Sequence, residues 1–234
     1  RYFFFHANYL VSKNKIEKAK KILVYSLNLH PKNLILNQLK IDLEQSNVTN
    51  NKFNCKDSKH IVSEILYIVA NGLSSQKNHI ASNFYLNLAK YLNPNFISFE
   101  RLAAENFIII NEYNEAKKIY NKIQKHGTVY SWHASKQTAS ILIRQEKKKE
   151  AINFLKKAFK KIKNPTTYQI FDYAEFLKNN EKYIESIEYY GKVVNVIDKK
   201  HDLYAQTLDG RGISHERTDQ WEKAERDLLN ALSV

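Results

Sequence analysis

Small side chains recur along this chain at nearly regular intervals, each within a stretch where apolar residues follow helical spacing. Successive positions are 63, 34, 35, 35 and 38 residues apart by subtraction, so the first interval is nearly double the others. A small residue lets two helices approach closely, and larger residues then fill the remaining gaps. The recurrence therefore predicts about six helical hairpins stacked as an elongated array rather than one deep core. The recurring positions are Ala19, Ser82, Ala116, Ala151, Ser186 and Ala224.

The stretch 210–232 shows this pattern most completely. It predicts two helices joined by a short polar turn, with glycine in the first helix and apolar residues at helical spacing in the second. Five of its residues match the tetratricopeptide repeat (TPR), and the stretch 183–192 resembles the same repeat with Ser186 in place of alanine. The chain resembles the TPR family, in particular the longer TPR proteins of alphaproteobacteria, several of which are exported. The five matching residues are Gly212, Trp221, Ala224, Leu228 and Ala231.

The resemblance implies an all-α fold, a right-handed superhelical solenoid of about six TPR-like helix-turn-helix hairpins. Five glycines and three prolines are few for a fold rich in tight turns, which agrees with long helices. We predict a first hairpin plus an extra helix over 1–45, with the hairpin helices near 2–12 and 16–29. An insertion loop, or a plain disordered surface loop, is predicted over 46–57, and five tandem TPR-like repeats over 58–234. Because the chain begins and ends inside predicted helices, we expect a fragment whose parent protein has further repeats.

The TPR resemblance also implies partner binding without catalysis, in a concave groove lined by the first helix of each hairpin. Mixed charges among aromatic residues suit an extended peptide, although the same positions also fit plain hydrophilic helix surfaces. Some TPR domains hold a C-terminal carboxylate through Lys and Asn at set positions. Lys136 is at such a position, but Ser140 stands where Asn is needed, which argues against that ligand. The predicted groove residues are Tyr67, Asn71, Arg101, Glu105, His133, Lys136, Arg144, Phe171, Glu175, Lys178, Asp209 and Arg217.

The charge of the chain suggests a second hypothesis. The formal net charge is +13, and the stretch 144–163 has nine basic residues against two acidic ones. Lys156, Lys160 and Lys163 are predicted to share one helix face, where nucleic acid or an anionic membrane could bind. The simpler interpretation is a solvated surface, because Lys accompanies abundant Asn and Ile as in AT-rich genomes. A third hypothesis is a structural subunit that assembles with other copies of itself.

The sequence offers little chemistry for catalysis. Its eight histidines include no His-Glu-x-x-His pair, and it has no glycine-rich phosphate loop and no recognisable nucleophile signature. We therefore predict that the chain is not an enzyme and uses no cofactor or metal. Cys55 is the single cysteine, which excludes an internal disulfide. No signal peptide or apolar run of about 20 residues is present, so the compartment, cytoplasm or periplasm, stays open.

Overall fold

The computed structural model describes residues 1–45 and 53–233, and within these ranges it contains thirteen α-helices, one short 3-10 helix at Gln124–His126 and no strand. The predicted all-α fold is confirmed. Two of the predicted helix ranges are reproduced at the N-terminus. The α-helices are α1 (Tyr2–Ser12), α2 (Ile16–Leu29), α3 (Leu34–Glu44), α4 (Ser58–Ser75), α5 (His79–Leu92), α6 (Ser98–Ile109), α7 (Tyr113–Ile123), α8 (Thr128–Arg144), α9 (Lys148–Lys160), α10 (Thr167–Asn179), α11 (Tyr183–Val194), α12 (Tyr204–Glu216) and α13 (Trp221–Leu232).

The same backbone turn closes six successive helix pairs. In each turn one residue that is not glycine adopts a left-handed conformation, with φ between 57° and 65°. The next backbone N–H then donates to a carbonyl five residues earlier, as Lys15 does to Leu10 at 2.9 Å and Glu112 does to Phe107 at 2.8 Å. This bond is typical of a Schellman helix ending, which satisfies carbonyl groups that the helix leaves unpaired. The left-handed residues are Asn14, Lys77, Asn111, Glu146, Glu181 and Asp219.

The small residues that define the period all lie buried, five positions after these turn residues. Ala19, Ala116 and their four counterparts are between 0% and 3% exposed. The hydroxyl of Ser82 also donates to the carbonyl of Ala70 at 2.8 Å, across the α4/α5 hairpin. At Gly212 an added Cβ would lie 2.8 Å from the side chain of Leu228, which is closer than real Cβ atoms come to other atoms. The predicted spacing of small residues therefore marks where paired helices approach most closely.

The chain divides into two compact units, 1–141 and 142–234, with the division inside α8. The predicted domain boundaries lie elsewhere and stay predictions. Of the predicted loop 46–57, residues 46–52 lie outside the described residues. The remainder precedes α4 and includes Phe53, which is buried.

In the first unit, Arg1, which directly precedes α1, and Gln38 on α3 contact the first helices of later hairpins. The Arg1 guanidinium forms two hydrogen bonds with the carboxylate of Glu64, one of them from Nε at 2.8 Å, and lies 3.7 Å from the ring centroid of Tyr67. Both partners belong to α4. The side-chain oxygen of Gln38 on α3 accepts a hydrogen bond from the backbone N–H of Val129 on α8, at 3.1 Å. The N-terminal segment therefore contacts α4 through Arg1 and the beginning of α8 through Gln38.

A buried polar network joins the α4/α5 hairpin to α6. The side-chain amide of Asn106, which is 0% exposed, donates to Ser82 Oγ and to Asn83 Oδ1, both at 2.8 Å. Its oxygen accepts a hydrogen bond from Ser74 Oγ at 2.7 Å and lies 3.2 Å from His79 Nδ1. Since buried polar groups are costly unless paired, this network fixes the relative position of three helices.

Candidate partner-binding surface

The predicted groove residues fall into two sets, one in each compact unit. The first-unit set lies on α4, α6 and α8, and the second-unit set lies on the end of α8, α10 and α12. The first-unit set is Tyr67, Asn71, Arg101, Glu105, His133 and Lys136. The second-unit set is Arg144, Phe171, Glu175, Lys178, Asp209 and Arg217.

An ion pair forms the centre of the first-unit set. Arg101 Nη1 lies 2.5 Å from Glu105 Oε1, one helical turn away on α6. Burial acts to lower the pKa of Arg101, but attraction to Glu105 and to Tyr67 outweighs it, so that pKa is raised. The pKa of Glu105 is also raised, because the loss of water around its carboxyl exceeds the stabilising effect of Arg101. Arg101 therefore keeps its charge beside a carboxylate that is partly desolvated.

His133 lies beside this pair and is held neutral. It is 9% exposed, and burial, followed by repulsion from Arg101 and Lys136, lowers its pKa from 6.5 to about 3. Its Nε2 atom has no hydrogen-bond partner among the described residues, and neither has the hydroxyl of Tyr120. The two rings meet edge to face with centroids 6.0 Å apart. Tyr120 lies on α7, four residues after Ala116, a spacing typical of a packing residue, so the sequence gives no sign of its polar neighbours.

The other members of the first-unit set differ in accessibility. Tyr67 is only 7% exposed, because the Arg1 side chain lies over its ring. Asn71 is exposed near the end of α4, and Lys136 is half-buried on α8. The structure therefore brings Arg101, Glu105 and His133 together, whereas Tyr67 is occupied from within the chain.

The second-unit set is organised around Glu175. Its carboxylate accepts hydrogen bonds from Lys178 Nζ at 2.8 Å and from the hydroxyl of Tyr190. Burial, followed by the hydrogen bond to Glu175, raises the pKa of Tyr190. An added Cβ at Gly210 would lie 2.5 Å from the Tyr190 ring, so α12 can pass this ring only because residue 210 is glycine. Phe171 is buried, and its ring meets that of Tyr190 edge to face, with centroids 6.1 Å apart. The tyrosine that binds Glu175 is therefore itself packed against a second aromatic ring.

The remaining second-unit residues are exposed. Asp209 lies on α12, close enough to Tyr190 for its negative charge to contribute to the raised pKa of that hydroxyl. Arg217 directly follows α12, and Arg144 is the last residue of α8. Exposed charges of both signs therefore accompany the half-buried pair Glu175–Lys178.

Comparison with solved structures shows which fold these hairpins form. A putative kinesin light chain from Podosopora anserina, with nearly identical TPR-like repeats, matches 73% of this chain and 93% of its own, at a TM-score of 0.56 and 11% identity. The chain has a TPR fold. MamA 41-end from Desulfovibrio magneticus RS-1 matches 75% of this chain and 94% of its own, with a TM-score of 0.51 and 13% identity. A second MamA structure matches 73% of this chain and 90% of its own, at 0.51 and 15%.

The similarity to TPR proteins lies in the structure of the chain and not in its overall sequence. No protein-family model matches the chain, and no curated protein matches it. The TPR resemblance noted from the small and aromatic residues is nevertheless confirmed, because the matched structures contain TPR-like repeats and the chain superimposes on them over most of its length.

The three lysines of the predicted basic face do not all lie on one helix. α9 ends at Lys160, so Lys163 lies beyond the helix and does not share a helix face with Lys156 and Lys160 as predicted. Pro165 accounts for this, because in a continued helix it would have no N–H to donate to the carbonyl of Lys161 and its ring would clash with that carbonyl. Lys156 Nζ is 2.9 Å from Glu185 Oε2 on α11, and that hydrogen bond raises the pKa of Lys156. Part of the positive charge on α9 is therefore neutralised by the following α10/α11 hairpin.

The described residues also bear on metal binding and on membrane insertion. Across 1–45 and 53–233, no cluster of three or more His, Cys, Asp or Glu side chains is placed to bind a metal ion. None of the helices in those ranges combines the length and apolar character needed to span a bilayer.

The buried His133 gives a prediction for pH dependence. The unfolded chain takes up a proton at this histidine near pH 6.5, whereas the folded chain does so only near pH 3. Stability is therefore unaffected above pH 6.5 and falls as the pH drops towards 3. At pH 5 we expect His133 to cost about 2 kcal/mol of unfolding free energy. Urea unfolding at pH 7 and pH 5 checks this, because His133→Gln should lose less stability than the unaltered chain. An equal loss in both proteins would contradict it.

Proposed function

We propose that this TPR-fold chain is a non-catalytic interaction scaffold that binds an extended peptide segment of a partner protein along the first helices α10 and α12. The observation that carries the proposal is the cluster of Glu175, Lys178 and Tyr190, with the exposed Asp209 of the next hairpin beside it. The second unit is favoured over the first because Arg1 already covers Tyr67 in the first unit.

The chemistry of this surface suits a peptide with charges of both signs. Lys178 can bind a carboxylate of the peptide, and Asp209 can bind a basic side chain of it. Lys178 Nζ lies 6.0 Å from the ring centroid of the buried Tyr190, whose hydroxyl donates to Glu175. This packing limits the movement of the charged groups before binding, which lowers the entropy lost when a ligand binds. The TPR resemblance supports the same role, because partner binding is the activity that it implies.

Peptide selection on the whole chain tests this function. A random peptide library would be selected against the unaltered chain, and the dissociation constants of the recovered peptides measured for variants. Lys178→Glu should weaken binding by about tenfold or more, because it replaces attraction by repulsion at the centre of the surface. Lys160→Glu is the matched control, since Lys160 is exposed on α9 and should leave binding unchanged.

The opposite pattern would contradict the proposal. If the selected peptides bind Lys178→Glu as tightly as the unaltered chain and lose affinity for Lys160→Glu, the basic surface of α9 is the binding site. A strong fall in affinity with added salt would accompany that result, because phosphate-like or acidic ligands would then be held by charge.

A further inference from the structure

One side of α4 is apolar and uncovered. Its residues are adjacent or three to four apart in sequence, so they form one stripe along the helix. They are 41% to 55% exposed, and each is isoleucine or valine. A concentration of exposed apolar residues marks an interaction site more often than an ordinary surface. We call this surface the α4 stripe; it consists of Ile61, Val62, Ile65, Ile68 and Val69.

The next hairpin shows what covers the equivalent positions elsewhere in the chain. The left-handed turn residues Lys77 and Asn111 are 34 residues apart by subtraction, so each position on α4 corresponds to one on α6. The α6 counterparts of the last three stripe residues are only 1% to 8% exposed. They are buried because the preceding hairpin, α4/α5, packs against α6. These counterparts are Phe99, Leu102 and Ala103.

The second helix of a preceding hairpin makes a direct contact at this interface. Gly72 extends the α4 stripe by one turn, and its counterpart on α6, Asn106, donates to Ser82 Oγ of α5 at 2.8 Å. In the second unit the counterpart is Ser214, whose Oγ accepts a hydrogen bond from Ser186 Oγ of α11 at 2.8 Å. At Gly72 an added Cβ would meet no atom within 4 Å. Among the described residues, no helix occupies this position on α4.

The helices that precede α4 in the chain do not fill the position. Arg1 contacts Glu64 and Tyr67, which lie on a different side of α4 from the stripe. α3 packs beside α2 as the first helix of a hairpin would, but the described residues between α3 and α4 contain no helix. One first helix is therefore followed by another, and the α4 stripe is a stacking surface without its second helix.

The charges near the α4 stripe favour an acidic ligand. Between residues 53 and 77 the chain has three lysines and two acidic residues. Lys59 and Lys77 are exposed, one near each end of α4. Both acidic residues are engaged, since Glu64 is buried and paired with Arg1, and Asp57 caps α4 by accepting from the backbone N–H of Lys59. A helix with an apolar side and acidic residues beside it therefore complements this surface.

We propose that the α4 stripe binds an acidic amphipathic α-helix of a partner protein, in the position that α5 occupies on α6. α5 ends at Leu92 and α6 begins at Ser98, so this short connection makes the two helices antiparallel. The partner helix therefore runs antiparallel to α4. The open space at Gly72 accepts a side chain larger than the serines that α5 and α11 place at this point. This inference does not depend on the proposed peptide surface of α10 and α12.

A defined helical peptide tests whether the stripe binds a helix. The probe is a hydrocarbon-stapled peptide with leucines three and four apart on one side and glutamates on the other, and its dissociation constant is measured with the whole chain. Ile65→Gln should raise that constant by about tenfold or more, because the apolar contact with the probe is lost. The matched control is Ile184→Gln, since Ile184 is 77% exposed on α11 and should leave binding unchanged. No binding of the probe, or an equal effect of the two substitutions, would overturn the proposal.

A second peptide tests the charge of the partner. It has lysine in place of every glutamate of the probe, so its apolar side is the same. Because Lys59 and Lys77 are exposed near the stripe, this peptide should bind about tenfold or more weakly than the acidic probe at low salt. Equal or tighter binding of the lysine peptide would contradict the acidic character assigned to the partner helix.

The direction of the bound helix can be measured from Cys55. This residue is the single cysteine, is exposed, and lies three residues before α4. A spin label attached to it should broaden the NMR signals of the C-terminal residues of the acidic probe more than those of its N-terminal residues. That result is expected because an antiparallel helix ends near the beginning of α4. Stronger broadening at the N-terminus of the probe would overturn the placement.

Sedimentation velocity of the chain without peptide distinguishes a partner helix from a second copy on the same stripe. Over a range of concentrations, Ile65→Gln should sediment as the unaltered chain does, because the stripe is not expected to join two copies. Association of the unaltered chain that rises with concentration and is abolished by Ile65→Gln would overturn the proposal in favour of a second copy.

Discussion

Ala224→Arg is expected to unfold the α12/α13 hairpin while the first unit stays folded. Ala224 is 3% exposed, and its carbonyl lies 3.4 Å from the position of a Cβ built on Gly212, so the two helices leave no room for a long charged side chain. Burying an unpaired charge and separating the helices should together cost more than about 3 kcal/mol. In repeat proteins each hairpin is stabilised mainly by its neighbours, so a defect lowers the protection of nearby hairpins more than that of distant ones. Hydrogen exchange resolved helix by helix measures this difference.

The matched control for this substitution lies on the same helix. Asn230 is exposed on α13, so Asn230→Arg introduces the same side chain without filling the helix interface. It should change exchange protection little. Equal loss of protection in α1–α7 and in α12/α13, or unchanged protection of α12/α13 in Ala224→Arg, would contradict the assignment of this position.

Arg211→Met is expected to destabilise the same hairpin for a different reason. Arg211 donates two hydrogen bonds to Asp227, from Nε at 2.6 Å and from Nη2 at 2.8 Å, and the Asp227 side chain is 1% exposed. Removing the guanidinium leaves a buried carboxylate without its countercharge. We expect a loss of about 3 to 5 kcal/mol in the unfolding free energy, measured by urea denaturation near pH 7.

A double variant separates the lost ion pair from lost packing. Arg211→Met combined with Asp227→Leu removes both charges, so it should be more stable than Arg211→Met alone. If the double variant is as unstable as the single one, or less stable, the loss comes from packing and not from the unpaired carboxylate.

Local features of the fold could be predicted from the sequence because they depend on neighbouring residues. The helices near 2–12 and 16–29 follow from apolar spacing within each segment, and the structure places them at Tyr2–Ser12 and Ile16–Leu29. The buried positions Ala19 and Ala224 follow from the small residues that each helix pair needs. The left-handed turn residues had no such signal, because asparagine, lysine, glutamate and aspartate occupy them in place of glycine.

Contacts between distant segments could not be predicted in this way. Arg1 and Glu64 are 63 residues apart, and Gln38 and Val129 are 91 apart, so no period in the sequence connects them. Tyr67 was predicted to face the groove on the assumption of regular stacking, and it is buried because Arg1 lies over it. The Asn106 network could not be predicted for the same reason, since Asn106 on α6 binds side chains on two other helices, α4 and α5.

The recurring left-handed turn has a consequence for how such chains diverge. The chain reverses direction through a backbone conformation and one backbone hydrogen bond, and four residue types serve equally at the bend. Because four different side chains occupy this bend, the turn itself restricts the sequence little. The turns therefore add little to a sequence signal, in agreement with structural matches at only 11% to 15% identity.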